Sequence, residues 1–257
     1  MNLGRRTIGN KGIQNLCKAK SQYVMAIDGL AHQNATGLAA GRDVTERLVE
    51  QLEAIYKAAR EERRYKDAAF ESAYHTPVTG DFEFLVARTL CHYGLKLSLN
   101  WKVFLRRQVT RTAPDIRVTV GDRTLGIVEI KTKLGWMQPF FSSQQATKDA
   151  RRLREGKSDF NPTYAIDQWR EQLDKYAKVF KVRKECVFVL VPSLRHVHRK
   201  KHGLTLANYR QTFARNSGLP EQNLVLLSDD LDYDPGGEII PLVTQQFEKM
   251  VKKLVAA

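Results

Sequence analysis

Two runs rich in β-branched residues, Asp115-Ile116-Arg117-Val118-Thr119-Val120 and Thr124-Leu125-Gly126-Ile127-Val128-Glu129-Ile130-Lys131, flank Gly121-Asp122-Arg123. Such runs favour extended backbone, and a connector this short that contains glycine joins them as an antiparallel β-hairpin with Asp122 in the turn. Centred on Asp122, the hairpin sets Asp115 opposite Glu129, with Cβ atoms roughly 4.5–5.5 Å apart. Side chains alternate along a strand, so Glu129 and Lys131 share one face. Ile116, Val118, Val120, Val128 and Ile130 take the other face and read as core.

Two unpaired carboxylates held this close repel each other, and a hard divalent cation such as Mg²⁺ relieves that repulsion through oxygen ligands and retained waters. A lysine beside such a cation can orient or deprotonate an attacking water, or neutralise charge developing on a phosphate. The alternative is an ordinary hairpin whose surface acids pair with Arg117 or Lys131.

Upstream, Phe82, Leu85, Val86, Thr89, Leu90 and Tyr93 recur at helical spacing within Gly80–Tyr93. Thr79 is placed to cap that helix and Gly94 to end it, with Glu83 at the edge of the apolar stripe. Pro114-Asp115 followed by Glu129-Ile130-Lys131, with an acidic residue on a preceding helix, resembles the PD-(D/E)XK nuclease superfamily over roughly residues 79–230. The resemblance implies a restriction-endonuclease-like α/β fold and a Mg²⁺-dependent DNA endonuclease, with Mn²⁺ able to substitute. By that resemblance Asp115, Glu129 and the backbone carbonyl of Ile130 would bind the cation, Glu83 would assist, and Lys131 would serve the attacking water. Gln172 and Tyr176, four apart in the helical run Tyr164–Phe180, resemble the Gln-x-x-x-Tyr element of the exonuclease-like and recombination-associated branch, where the pair helps to position substrate. A recombination or repair nuclease that needs a DNA end or structure, and a noncatalytic nucleic-acid-binding module, remain the alternatives.

Charge points the same way. Lys and Arg number 42 against 28 Asp and Glu, a formal net charge of +14, and the commonest polyanionic partner of such a field is nucleic acid. A membrane surface is the competing acceptor, but no stretch approaches the roughly 18 apolar residues of a span. No apolar h-region follows the first residues, so a soluble, cytoplasmic protein is expected. Cys17, Cys91 and Cys186 lack metal-ligand spacing and read as reduced thiols in or near the core. His196, His198 and His202 sit among cations, which disfavours a metal there and suits a phosphate-contacting loop or a solvated turn.

The remaining organisation divides at about residue 77. Residues 1–77 read as a basic arm, with Arg5, Arg6, Lys11, Lys18 and Lys20 and no acid in the first twenty positions, followed by a helical extension from Asp43 to about Tyr74. That helix would pack across the nuclease domain or form a homodimer contact. Residues 78–257 read as the nuclease domain, with strands near 101–109, 114–120, 124–132, 186–191 and 223–227, a helix within 163–180 and a closing helix over 242–254. Within it, an insertion at 132–162 combines Trp136, Phe140 and Phe141 with Lys148, Arg151, Arg152, Arg154 and Lys157. Cations that meet phosphates and aromatics that stack on bases suit a DNA-binding element.

Overall fold

The computed structural model describes residues 10–62, 78–131, 162–192, 206–228 and 244–257. Three helices come first: α1 (Asn10–Ala39), α2 (Thr45–Glu62) and α3 (Val78–Lys96). Strands β1 (Lys102–Leu105), β2 (Ile116–Val120) and β3 (Arg123–Ile130) follow, then α4 (Pro162–Val179), β4 (Val187–Val191), α5 (Leu206–Ser217), β5 (Leu224–Leu226) and α6 (Gln246–Ala256). The strands form one five-stranded mixed sheet in the order β1-β2-β3-β4-β5. Pairing is antiparallel from β1 through β3 and parallel from β3 through β5. Each parallel step needs a crossover, and α4 and α5 occupy the two crossover segments.

The apolar run Val187-Phe188-Val189-Leu190-Val191 is buried at every position, as a central parallel strand covered on both faces must be. β3 is buried from Thr124 to Ile130, so its two alternating sets both meet other elements. On the Gly126 face the cover is α6, and a Cβ at Gly126 would lie 2.3 Å from Leu254 Cδ2 and 2.9 Å from the Cys186 carbonyl oxygen. The missing side chain is what lets α6 and the start of β4 close on the strand. The opposite face, which carries Glu129, meets Tyr176 and Phe180 from the α4 region.

The hairpin pairs as its sequence predicts near the acids and differs at the tip. Ile116 faces Val128, Arg117 faces Ile127 and Val118 faces Gly126, which continues to Asp115 opposite Glu129. Beyond Val118 the register shifts, pairing Thr119 with Thr124 and Val120 with Arg123. The turn is therefore Gly121-Asp122 alone, with Gly121 at φ +54°, and a bulge at Leu125 absorbs the extra residue of β3. Val120, expected in the core, lies beyond the bulge and is half-buried.

Other boundaries moved for identifiable reasons. α1 begins at Asn10, inside the stretch expected to be a basic arm, and buries Ile27, Ala31, Ala35 and Leu38 at helical spacing. It packs along α3. Asn34 and Gln51 exchange amide hydrogen bonds at 2.7 and 3.2 Å, tying α1 to α2 in a buried setting. Asp43 accepts from the Thr45 N–H at 3.0 Å and so caps α2, as expected. Thr79, expected as the cap of α3, lies within that helix, which also runs past Gly94. Gly94 serves close approach instead: a Cβ there would be 2.7 Å from Trp101 Cβ. β1 stops at Leu105 because Arg106 takes φ 47°, and Thr110 and Arg111, at φ 47° and 58°, then form the tight turn between Val109 and Thr112. Among the described residues no helix is long and apolar enough to cross a membrane.

Candidate active site

The hairpin end, α3 and α4 bring the predicted residues together. Asp115 immediately precedes β2, and its carboxylate Oδ2 accepts the Ile130 N–H at 2.8 Å. Glu129, near the end of β3, answers by accepting the Asp115 N–H on Oε1 at 3.2 Å. Each acid thus holds backbone on the opposite strand, which fixes both side chains at the hairpin's open end. Lys131 follows β3, with its own N–H on the Leu190 carbonyl at 2.9 Å, and places Nζ 2.9 Å from Glu129 Oε2.

Glu83 reaches the same cluster from α3. Its side chain is 3% exposed, deeper than the solvated margin the helical spacing suggested, and lies close enough to feel the charges of both Asp115 and Lys131. In this arrangement its two oxygens accept from Arg106, Nε at 2.5 Å and Nη2 at 2.7 Å. Contact between Glu83 and a bound cation would require that guanidinium to yield. Sequence reasoning missed Arg106, because its place is set by the β1 to β2 register, which it extends by one pair with its N–H on the Asp115 carbonyl at 2.8 Å.

Burial dominates the electrostatics of the two deepest acids. It pushes the Glu129 carboxyl above the ordinary range, with Lys131 opposing and Asp115 reinforcing the shift. Glu83 is raised by burial too, against the hydrogen bonds from Arg106. For Lys131, burial pulls the ammonium down, but the charge and hydrogen bond of Glu129 outweigh it and the net shift is upward. A cluster of three carboxylates and one lysine, two acids reluctant to ionise, is a site that would gain from added positive charge.

Gln172 and Tyr176 share a face of α4, with Gln172 Nε2 2.5 Å from the Tyr176 hydroxyl. Tyr176 is 1% exposed, and its hydroxyl stands 3.5 Å from the Ala113 carbonyl. Burial, followed by the nearby Glu129 charge, pushes that phenol far up, so it acts as a hydrogen-bond donor and not as a base. A cleft of about 390 Å³ opens beside the pair, lined by Arg111, Thr112, Ala113, Glu171, Gln172, Lys175 and Tyr176. The cleft ends one residue short of the Pro114-Asp115 motif.

Asp115, Glu129 and a backbone carbonyl at Ile130 make an all-oxygen donor set, which matches Mg²⁺ better than a softer metal. Among the described residues no group of three or more His, Cys, Asp and Glu side chains is arranged to hold a metal ion. Two carboxylates, one carbonyl and water are therefore what these residues could offer. Cys91 and Cys186 are free thiols, half-buried and buried. Trp136, Phe140, Phe141, Lys148, Arg151, Arg152, Arg154 and Lys157 of the basic and aromatic insertion lie outside the described residues, as do His196, His198 and His202.

No family model, curated protein or solved structure matches the chain.

Proposed function

We propose that this chain is a Mg²⁺-dependent endodeoxyribonuclease of the PD-(D/E)XK type, with a restriction-endonuclease-like domain. The observation that carries the reading is the convergence of Glu83, Asp115, Glu129 and Lys131 from α3 and the hairpin, with the two central acids locked to each other's strand. The net charge of +14 supports a polyanionic substrate.

Asp115, Glu129 and the Ile130 carbonyl would hold the cation, with Glu83 joining after release from Arg106. When bound, Mg²⁺ supplies Lewis acidity to the phosphoryl oxygen and lowers the pKa of water. Lys131, paired with Glu129 at 2.9 Å, would with the cation in place orient the attacking water and donate to the oxygen where negative charge grows. Water adds to phosphorus, the bond to the 3′ oxygen breaks, and a 5′-phosphate and a 3′-hydroxyl result. Tyr176, buried beside Glu129 and hydrogen-bonded by Gln172, would help to keep that acid in place.

A second reading within the same chemistry draws on the Gln172 and Tyr176 contact: a recombination or repair nuclease that works from an end or junction. Incubation of supercoiled plasmid with Mg²⁺ separates the readings. Discrete fragments support the endonuclease, progressive shortening of linear DNA alone supports the end-dependent enzyme, and binding without cutting leaves a noncatalytic DNA-binding module. Asp115→Asn and Lys131→Ala should each abolish cutting with binding retained. Full activity in Asp115→Asn would refute the assigned site.

A further inference from the structure

The face of the sheet that carries Asp115 continues along β2 to Arg117, two residues and about 6.6 Å further on. The cross-strand partner of Arg117 is Phe104. Three cations gather on that one ring: the Arg117 guanidinium carbon at 4.5 Å from its centroid, that of Arg107 at 4.8 Å and Lys102 Nζ at 5.5 Å. Phe180, just past α4, lies under the same guanidinium at 4.9 Å. Arg117 thus contacts two aromatic rings, which restrict its rotamer freedom.

Its hydrogen bonding is incomplete. Arg117 Nε is buried without a hydrogen-bond partner. The charged group that bears on it is Arg107, of the same sign. None of Lys102, Arg107 and Arg117 has an ion-pair partner among the described residues. Like charges brought together around a shared ring, one of them with an orphaned buried donor, cost free energy unless an anion joins them. A purely structural role would be met by a neutral side chain of similar reach. Guanidinium forks match phosphate oxygens in shape and charge.

We propose that Arg117 and Arg107, arranged around Phe104, form a clamp for a non-scissile phosphate of the DNA strand that passes Asp115. The proposal rests on the nucleic-acid reading given above but needs no cleavage, so the two can fail separately.

The test is the salt dependence of affinity for a short DNA duplex, read by fluorescence anisotropy in EDTA. One phosphate contact contributes about 0.9 to the slope of log affinity against log salt. Arg117→Met and Arg107→Ala should each flatten the slope by about one such increment and weaken binding roughly tenfold at low salt. Arg117→Lys, which keeps the charge but loses the fork, should restore the slope with only part of the affinity. Arg123→Met, at the far tip of the hairpin, should leave the slope unchanged. Arg107 is exposed, so its variant reports even if replacement of Arg117 disturbs folding. Unchanged slopes in both Arg117→Met and Arg107→Ala, or a wild-type protein that does not bind DNA, would overturn the clamp. Plasmid cleavage by the wild-type protein with Mg²⁺, run in parallel, tests the nuclease reading alone.

Discussion

Arg106 grips both carboxylate oxygens of Glu83, at 2.5 and 2.7 Å, although its own backbone sits in the left-handed region at φ 47°. A buried acid is thereby neutralised by a residue whose side chain is 58% exposed. Removing the cation leaves the acid stranded. Arg106→Ala should lower stability by about 1.5–3 kcal/mol, the range for hydrogen bonds to charged groups, read from the urea midpoint. Adding Glu83→Gln should recover part of that loss. Additive losses would mean that the pair is not coupled.

Glu129 should impose a pH slope on stability. Burial raises its folded carboxyl above the unfolded value, so between the two the folded state holds more protons. Stability from this group is then greatest below the unfolded pKa, near the ordinary glutamate value of about 4.3, and declines as pH rises through the folded one. Urea unfolding of the wild-type protein and of Glu129→Gln across that window should diverge, the wild-type protein losing ground as pH increases. Parallel curves would show that Lys131 fully offsets the burial.

Tyr176→Phe keeps the ring in its buried place but removes the hydroxyl that meets Gln172 and Glu129. Cleavage should slow by about tenfold, equivalent to roughly 1.4 kcal/mol, with DNA affinity unchanged. A fall in affinity with an unaltered rate would place the hydroxyl on the substrate instead.

Gly126→Ala inserts a methyl group 2.3 Å from Leu254 Cδ2 and 2.9 Å from the Cys186 carbonyl oxygen. Overpacking of this kind costs about 1–3 kcal/mol. Pairing it with Leu254→Ala should relieve the side-chain clash but not the carbonyl, so thermal unfolding should show partial rescue. Complete rescue would mean that β3 and β4 can separate slightly at little cost.

The buried amide pair of Asn34 and Gln51 offers a check on how α1 is held. Gln51→Ala leaves the Asn34 amide without its principal partner and should cost about 1–3 kcal/mol. A negligible change in the denaturation midpoint would indicate that α1 is held by its contacts with α3, among them the pairing of Asp28 with Arg88 and His92.

The acidic hairpin was legible because alternation is a strong signal: Ile116, Val118 and Val128 on one side force Asp115 and Glu129 to the other. Its tip was not, since Gly121-Asp122-Arg123 is compatible with both a three-residue loop and a two-residue turn plus bulge. α1 escaped because Gly4, Gly9, Gly12 and a run of cations mask a helix whose apolar contacts, at Ala31 and Ala35, are small. α5 escaped for a related reason, its buried side holding little more than Tyr209, Thr212 and Phe213. Arg106 and Phe104 became meaningful only with the β1 to β2 register, a long-range pairing that local periodicity does not encode.

The bulge at Leu125 separates the tip of the hairpin from its working end. It acts as an expansion joint: slack introduced around Gly121-Asp122 can be taken up before Val118, leaving the alignment of the acids untouched. Variation in the outer loop is in this way insulated from the paired acids, and the tip is free to change its surface while the base keeps its alignment.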